Sequence, residues 1–271
     1  MKEQLSCWTD FMEVVESLKI NEQRDLGWFI RGQSNELWSL QPSLLRNLGD
    51  VTVDRALGIE FGATRRFQSQ YHLHSPTDGI DKSKWSLIAW WMLMQHYSCP
   101  TRLLDWTLSP YVALYFAVDQ YSESDGALWF FPSPILEDRI EKRYGKLRLD
   151  DTDTAQLTEQ LESRNVKAVY PIEAAQHSLR SASQQGVFTV STHVLSDHGD
   201  VIAQTLIEQK GWSGLNKVIV PAGLKNEFLS KLRTMNITPS SLFHGLDGLG
   251  RAARDYIRLR IWRTHEDGDL R

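Results

Sequence analysis

The 271-residue chain contains only two cysteines, Cys7 and Cys99, with neither the number nor the spacing of a disulfide framework or a thiolate metal site. A reducing compartment is therefore expected. Long apolar runs are missing as well. A membrane helix needs ~20 such residues, and the longest candidate for an uncharged apolar run, Leu87 to Met94, falls well short. The N-terminal MKEQLSCWTDFMEVV is acidic and amphipathic, without the basic-then-apolar layout of a signal peptide. A cytoplasmic protein with no membrane partner is the expectation. Positive charge is not in excess: 30 Lys and Arg against 34 Asp and Glu leave a net charge of −4. That balance argues against bulk electrostatic binding to nucleic acid, although a local basic patch stays open. The histidines are scattered, and only His72 and His74 are spaced like ligands, near an expected loop, so no metal is expected. There is no internal repeat, low-complexity tract or Pro/Gly-rich linker. With only the acidic Asp150–Asp153 stretch as a break, a single domain spanning 1–271 is expected.

What is present is aromatic. Ten Trp is a high number for this length, and most will serve the core, where aromatic rings bury large areas. Apolar positions Phe11, Val14, Val15 and Leu18 share one helical face and predict an N-terminal helix over about 5–20. Helical patterning recurs at 52–74, 83–97, 135–143, 154–164, 198–209 and 222–235, with a short turn at 42–46 and a closing helix over about 246–263. Ser109-Pro110 reads as an N-cap followed by proline at the first helical position, opening a helix to about Gln120. Strands are predicted at 27–32, 126–131, 167–172, 186–191 and 217–220 from β-branched and aromatic residues bounded by turn signals. Short strands mixed with helices indicate an α+β (mixed α/β) architecture.

Chemistry concentrates in the run from Gln95 to Pro110, where His96, Thr101, Arg102, Asp105, Trp106 and Thr107 fall within a dozen positions. Arg and Asp among apolar neighbours need partners. Arg31, on an otherwise apolar strand, requires an anion, because its guanidinium cannot lose its proton. An internal pair with Asp105 and a grip on a phosphate are both open. Asp105 is expected in a partly desolvated place, either as a base or, more in keeping with its neighbours, paired with Arg102 or Arg31. His96, ending an apolar helix, reads as an acid, a cationic contact or a structural side chain. Thr101 and Thr107 are candidates for a ribose, and Trp106 for stacking on a ring or for core packing.

The segments Phe29-Ile30-Arg31-Gly32-Gln33-Ser34, Leu37 to Ser43, Gln95-His96 and Thr101 to Thr107 strongly resemble the FRG domain family. The Phe-Arg-Gly signature reads here as Phe-Ile-Arg-Gly. Arg180, Gln184, Gly186 and Phe188, then Ile237 to Leu249, extend the resemblance to about residues 10–257. The family is bacterial and phage-borne, which implies an anti-phage or toxin-type role and a protein target. A second, fold-level similarity is to arginine-specific ADP-ribosyltransferase-like proteins, on Arg31-Gly32 and on Asp105-Trp106-Thr107 followed by Ala113 to Ala117. It implies a split, mostly antiparallel sheet flanked by helices, and NAD as substrate. The residue reading and the two resemblances together give Arg31, Gly32, Gln33, Thr101, Arg102, Trp106, Thr107 and Arg180 as expected ligand contacts and Asp105, Gln184 and His96 as expected catalytic groups. The transferase-like fold's Glu-x-Glu is absent; Gln184 stands in its place. A non-catalytic sensor or interaction module is the rival expectation.

Overall fold

The structure, a computed structural model, describes residues 3–18, 27–74, 85–146, 159–163, 165–173, 182–207 and 214–268. In chain order the elements are α1 (Trp8–Leu18), β1 (Trp28–Gln33), α2 (Ser43–Leu48), α3 (Val53–His74), α4 (Leu87–His96), β2 (Leu103–Thr107), α5 (Pro110–Val118), β3 (Gly126–Pro132) and α6 (Ser133–Tyr144). There follow β4 (Val169–Glu173), β5 (Gly186–Ser191), α7 (His198–Thr205), β6 (Asn216–Val220), α8 (Lys225–Thr234), α9 (Pro239–Leu242) and α10 (Gly245–Gly268). The strands form one six-stranded sheet in the order β4-β5-β2-β1-β3-β6. Every neighbouring pair is antiparallel. The expected mixed architecture, with an antiparallel sheet flanked by helices, is what the chain forms.

Side chains alternate across the sheet. Phe29 and Phe131 point into a core shared with Trp91 and Met94 of α4 and Leu136 of α6. Ile30, Leu128 and Phe130 point into a second core with α1, α5 and α8. The cap read from sequence is present: Ser109 Oγ accepts from Val112 N with Pro110 in the first turn. A cap that was not read, Ser86 Oγ accepting from Ala89 N, starts α4. Residues 154–158 of one expected helix lie outside the described residues.

The strand that periodicity does not mark is β2. Leu103, Leu104, Trp106 and Thr107 are all buried while Asp105 is exposed, so no period-two alternation is visible. Its central place in the sheet, flanked by β5 and β1, removes the polar face that would have signalled it.

The sheet is split at its centre. β2 pairs with β5 along its whole length, from Leu103↔Val190 to Thr107↔Gly186, and β1 pairs with β3 along all of its own. β1 and β2 meet only at Ile30↔Thr107. Past that point Arg31-Gly32 and Asp105-Trp106 diverge, and a cleft opens between them. Gly32 holds α5 against this edge: a Cβ there would lie 1.8 Å from Ala113 O and 2.7 Å from Ala117 N. Only glycine permits that approach of helix to strand. Ser34 Oγ, donating to Phe116 O at 2.7 Å, ties the end of the strand to the same helix.

Candidate functional site

The fork between β1 and β2 holds a cavity of about 250 Å³. Its walls are Ile30, Arg31 and Gly32 from β1, Asp105, Trp106 and Thr107 from β2, and Met92, Gln95 and His96 from the end of α4. Phe116 of α5, Gln184 and Phe188 close it. Residues far apart in sequence (Arg31, His96, Asp105, Thr107 and Gln184) thus converge on one opening. The packing that brings them together is local in origin. Pro100 ends the α4 segment, the chain turns through Ser98, which has a positive φ of 64°, and β2 returns along the same end of the sheet.

Arg31 bridges the gap. Its Nη1 donates to the Asp105 backbone carbonyl at 2.6 Å and stands 3.8 Å from Asp105 Oδ2. Its Nε is buried and has no hydrogen-bond partner among the described residues. Burial, more than any charge, pulls the Arg31 pKa below its ordinary value; Asp105 opposes this and Arg46 adds to it. The guanidinium stays charged nonetheless. It is a cation with donor capacity to spare.

Asp105 is not desolvated as the sequence led one to expect. Its side chain is 59% exposed at the mouth of the cavity. Gln95 Nε2 donates to Asp105 Oδ1 at 2.5 Å, and Thr101 Oγ1 donates to Gln95 Oε1. This relay fixes which way the Gln95 amide faces and hence where the carboxylate sits. Thr101 is buried, so it acts behind the site and not as a ribose contact. Gln95 is a residue whose role the sequence did not reveal; its place beside His96 at the end of an apolar helix was the available signal.

Thr107 lines the cavity, but its hydroxyl donates to Gln184 O at 2.7 Å and accepts from Ser109 N at 3.1 Å. It fastens Gln184 to β2. The Gln184 amide in turn donates to Leu242 O at 3.0 Å. Trp106 forms the floor: it is buried, its Nε1 donates to Thr189 Oγ1 at 2.9 Å, and its ring meets Phe131 edge-on. Core packing, not stacking on a ligand, accounts for this residue.

Arg102 does not reach the cavity and does not pair with Asp105. It is 1% exposed. Its Nε donates to Glu60 Oε1 at 2.8 Å, and its Nη2 ion-pairs with Glu60 Oε2. Nη1 donates to Leu161 O and Ser191 O, and the guanidinium lies over the Trp91 ring. A buried guanidinium with that set of acceptors is structural. Glu60, in the middle of α3, gave no hint of this partnership in sequence because the two are joined only by the packing of α3 against the sheet. Gln33 is likewise buried, donating to Ser39 O and accepting from Trp129 Nε1. Arg180 lies outside the described residues.

A second hollow of about 690 Å³ continues on the far side of Arg31. It shares Arg31, Gly32 and Phe116 with the first and adds Trp38, Gln41, Arg46, Asp119, Phe243 and Arg251 among others. Among the described residues, no group of three or more His, Cys, Asp or Glu is placed to hold a metal ion, and no helix is long and apolar enough to cross a membrane.

Neither a curated protein nor a solved structure matches the chain. The FRG domain family model matches residues 27–126. The match begins at β1 and ends at the first residue of β3, so it takes in both edges of the fork. Over residues 27–126 the chain is thus similar to the FRG domain family, and that span supplies nearly all of the cavity wall.

Proposed function

We propose that the fork between β1 and β2 binds NAD or a related nucleotide, and that the domain cleaves its nicotinamide–ribose bond or transfers the ADP-ribose. The observation that carries this reading is the meeting of Arg31, whose buried Nε has no partner among the described residues, and the exposed Asp105 carboxylate across one cavity. A guanidinium with unused donors suits a diphosphate, which it grips through paired hydrogen bonds. Breaking the nicotinamide–ribose bond leaves positive charge on the sugar, and a fixed negative group nearby stabilises that charge. Among the described residues Asp105 is the only carboxylate lining the inner cavity, and the Thr101–Gln95 relay holds it in place before any ligand arrives. In the hydrolytic form, water adds to the ribose carbon, nicotinamide leaves and one proton is released.

The expected result is that Asp105→Ala abolishes nicotinamide release from NAD while nucleotide affinity stays within about threefold, since only differential transition-state contacts are lost. Unchanged release by that variant removes Asp105 from the chemistry.

A second reading, a non-catalytic sensor or effector domain of a defence system, is favoured by one observation. Gln184 stands where a carboxylate would be needed, and its amide is committed to Leu242 O. Binding of NAD without any release of nicotinamide by the wild-type protein selects this reading.

A further inference from the structure

The inner cavity alone is small. At about 250 Å³ it lies below the roughly 300–1,000 Å³ of small-molecule sites. It does not end at Arg31. The outer hollow of about 690 Å³ shares Arg31, Gly32 and Phe116 with it, so Arg31 stands at a waist between two compartments. The outer one has a cationic rim. Arg46 and Arg251 join Arg31 there, and Asp119 is the one carboxylate among the described lining residues; it pairs with Arg254 and stands 3.8 Å from Arg251 Nη1. Arg46 is held only lightly, with Nη1 donating to Gln41 O at 3.0 Å. Arg251 lies over Phe243, its Cζ 4.1 Å from the ring centroid, with Nε on Asp247 Oδ1 at 3.1 Å.

The outer compartment also has an aromatic wall. Trp38 is 43% exposed, an unusual place for so large an apolar ring. Its loop is nevertheless fixed. Tyr121 meets the ring edge-on at 5.3 Å, Asn35 Oδ1 accepts from Leu37 N at 2.9 Å, and Lys217 Nζ donates to Glu36 O and pairs with Glu36 Oε2 at 2.9 Å. A ring so held keeps exposed apolar surface on the wall of a cationic hollow, and such surface suits a planar base.

Building on the nucleotide reading above, the geometry points to a ligand with two ring-bearing halves joined by a diphosphate, its bridge at Arg31 and its second nucleoside in the outer compartment against Trp38. A mononucleotide fills only half of such a cleft. Arg46 and Arg251 then face the bridge and the second ribose from the rim.

The test is calorimetric binding of NAD and of nicotinamide mononucleotide to the wild type, Trp38→Ala and Arg46→Gln, with thermal unfolding as a check that each variant folds. The wild type is expected to bind NAD at least about tenfold more tightly than the mononucleotide. Trp38→Ala should weaken NAD by about tenfold, the usual loss on removing a stacking platform, and leave the mononucleotide unchanged. Arg46→Gln should weaken NAD more than the mononucleotide. Equal wild-type affinity for the two, or an equal loss of both in Trp38→Ala, overturns the two-compartment inference while the nucleotide reading stands. If the wild type binds neither compound, the nucleotide reading itself falls.

Discussion

Two arginines on either side of the fork show how one residue type is put to opposite uses. Arg102 sits just before β2 with every direction of its guanidinium answered: Glu60 on Nε and Nη2, carbonyls on Nη1, the Trp91 face beneath. Arg31, on β1, has one carbonyl and a carboxylate 3.8 Å away, and its Nε has no partner among the described residues. Both are surrounded by apolar sequence, so sequence alone does not separate them. What separates them is the spacing of the strands. Arg102 lies where the chain is closed over by α3, and Arg31 lies where β1 and β2 part. Saturation of donors marks the structural cation, and unused donors beside an opening mark the one available to a ligand.

The comparison is broken most forcefully at Arg102. Arg102→Met leaves Glu60 buried without its partner, and such losses cost about 3–5 kcal/mol. In thermal unfolding a fall in Tm of roughly 10 °C is expected for a chain of this size. A change under about 1 kcal/mol would mean that the Arg102–Glu60 pair is no more than a surface contact.

The two arginines are next compared through a shared neighbour. His198 is fully buried, with Nδ1 2.8 Å from Thr189 Oγ1. Burial first, then the charges of Arg102 and Arg31, lower its pKa to about 3. Between the ordinary histidine value near 6.5 and about 3, the unfolded chain binds a proton that the folded one refuses. Stability from this group is therefore full above about 6.5 and falls as the pH drops, with a slope of about 1.4 kcal/mol per pH unit. Urea unfolding of wild type and His198→Gln between pH 5 and 6.5 isolates the effect, because the variant lacks it. Parallel slopes in the two proteins would remove His198 as the source.

The smallest effect is expected at Arg31. Its pair with Asp105 is partly exposed on both sides, at 18% and 59%, and exposed pairs contribute less than about 1 kcal/mol. Arg31→Met should thus unfold within about 1 kcal/mol of wild type while losing nucleotide affinity. Loss of several kcal/mol of stability would place Arg31 with Arg102 as a structural cation.

Much of the fold is legible along the chain. α1, α3, α4, α5, α8 and α10 follow from helical periodicity, proline and cap residues, and β1, β3, β4, β5 and β6 from β-branched and aromatic runs. β2 was not among the expected strands, since a strand buried on both faces carries no alternation. At the site, Arg31, His96, Asp105 and Gln184 were legible as polar residues in apolar or Gly-bounded surroundings. Arg102 was legible too, but with the wrong partner: Asp105, its neighbour in sequence, is not its partner in space. Trp106 was read as either a stacking or a core side chain, and it lies in the core. Gln95 and Trp38 were legible only as members of the segments that carry the family resemblance, without a role; Arg46 and Arg251 were not legible as site residues, because nothing in their local sequence distinguishes them from polar surface.

The order of residues by itself determined which segments become helices and strands, because periodicity, capping and turn chemistry act over a few positions. It also determined that charged groups would be set in apolar stretches, and so would need partners. Which partners they found was decided only by the tertiary structure. Hydrogen bonds and ion pairs reach a few ångströms in space whatever the separation in the chain. The β1–β2 pairing at Ile30↔Thr107, with Glu60 of α3 set against one arginine and a cavity beside the other, assigned the roles.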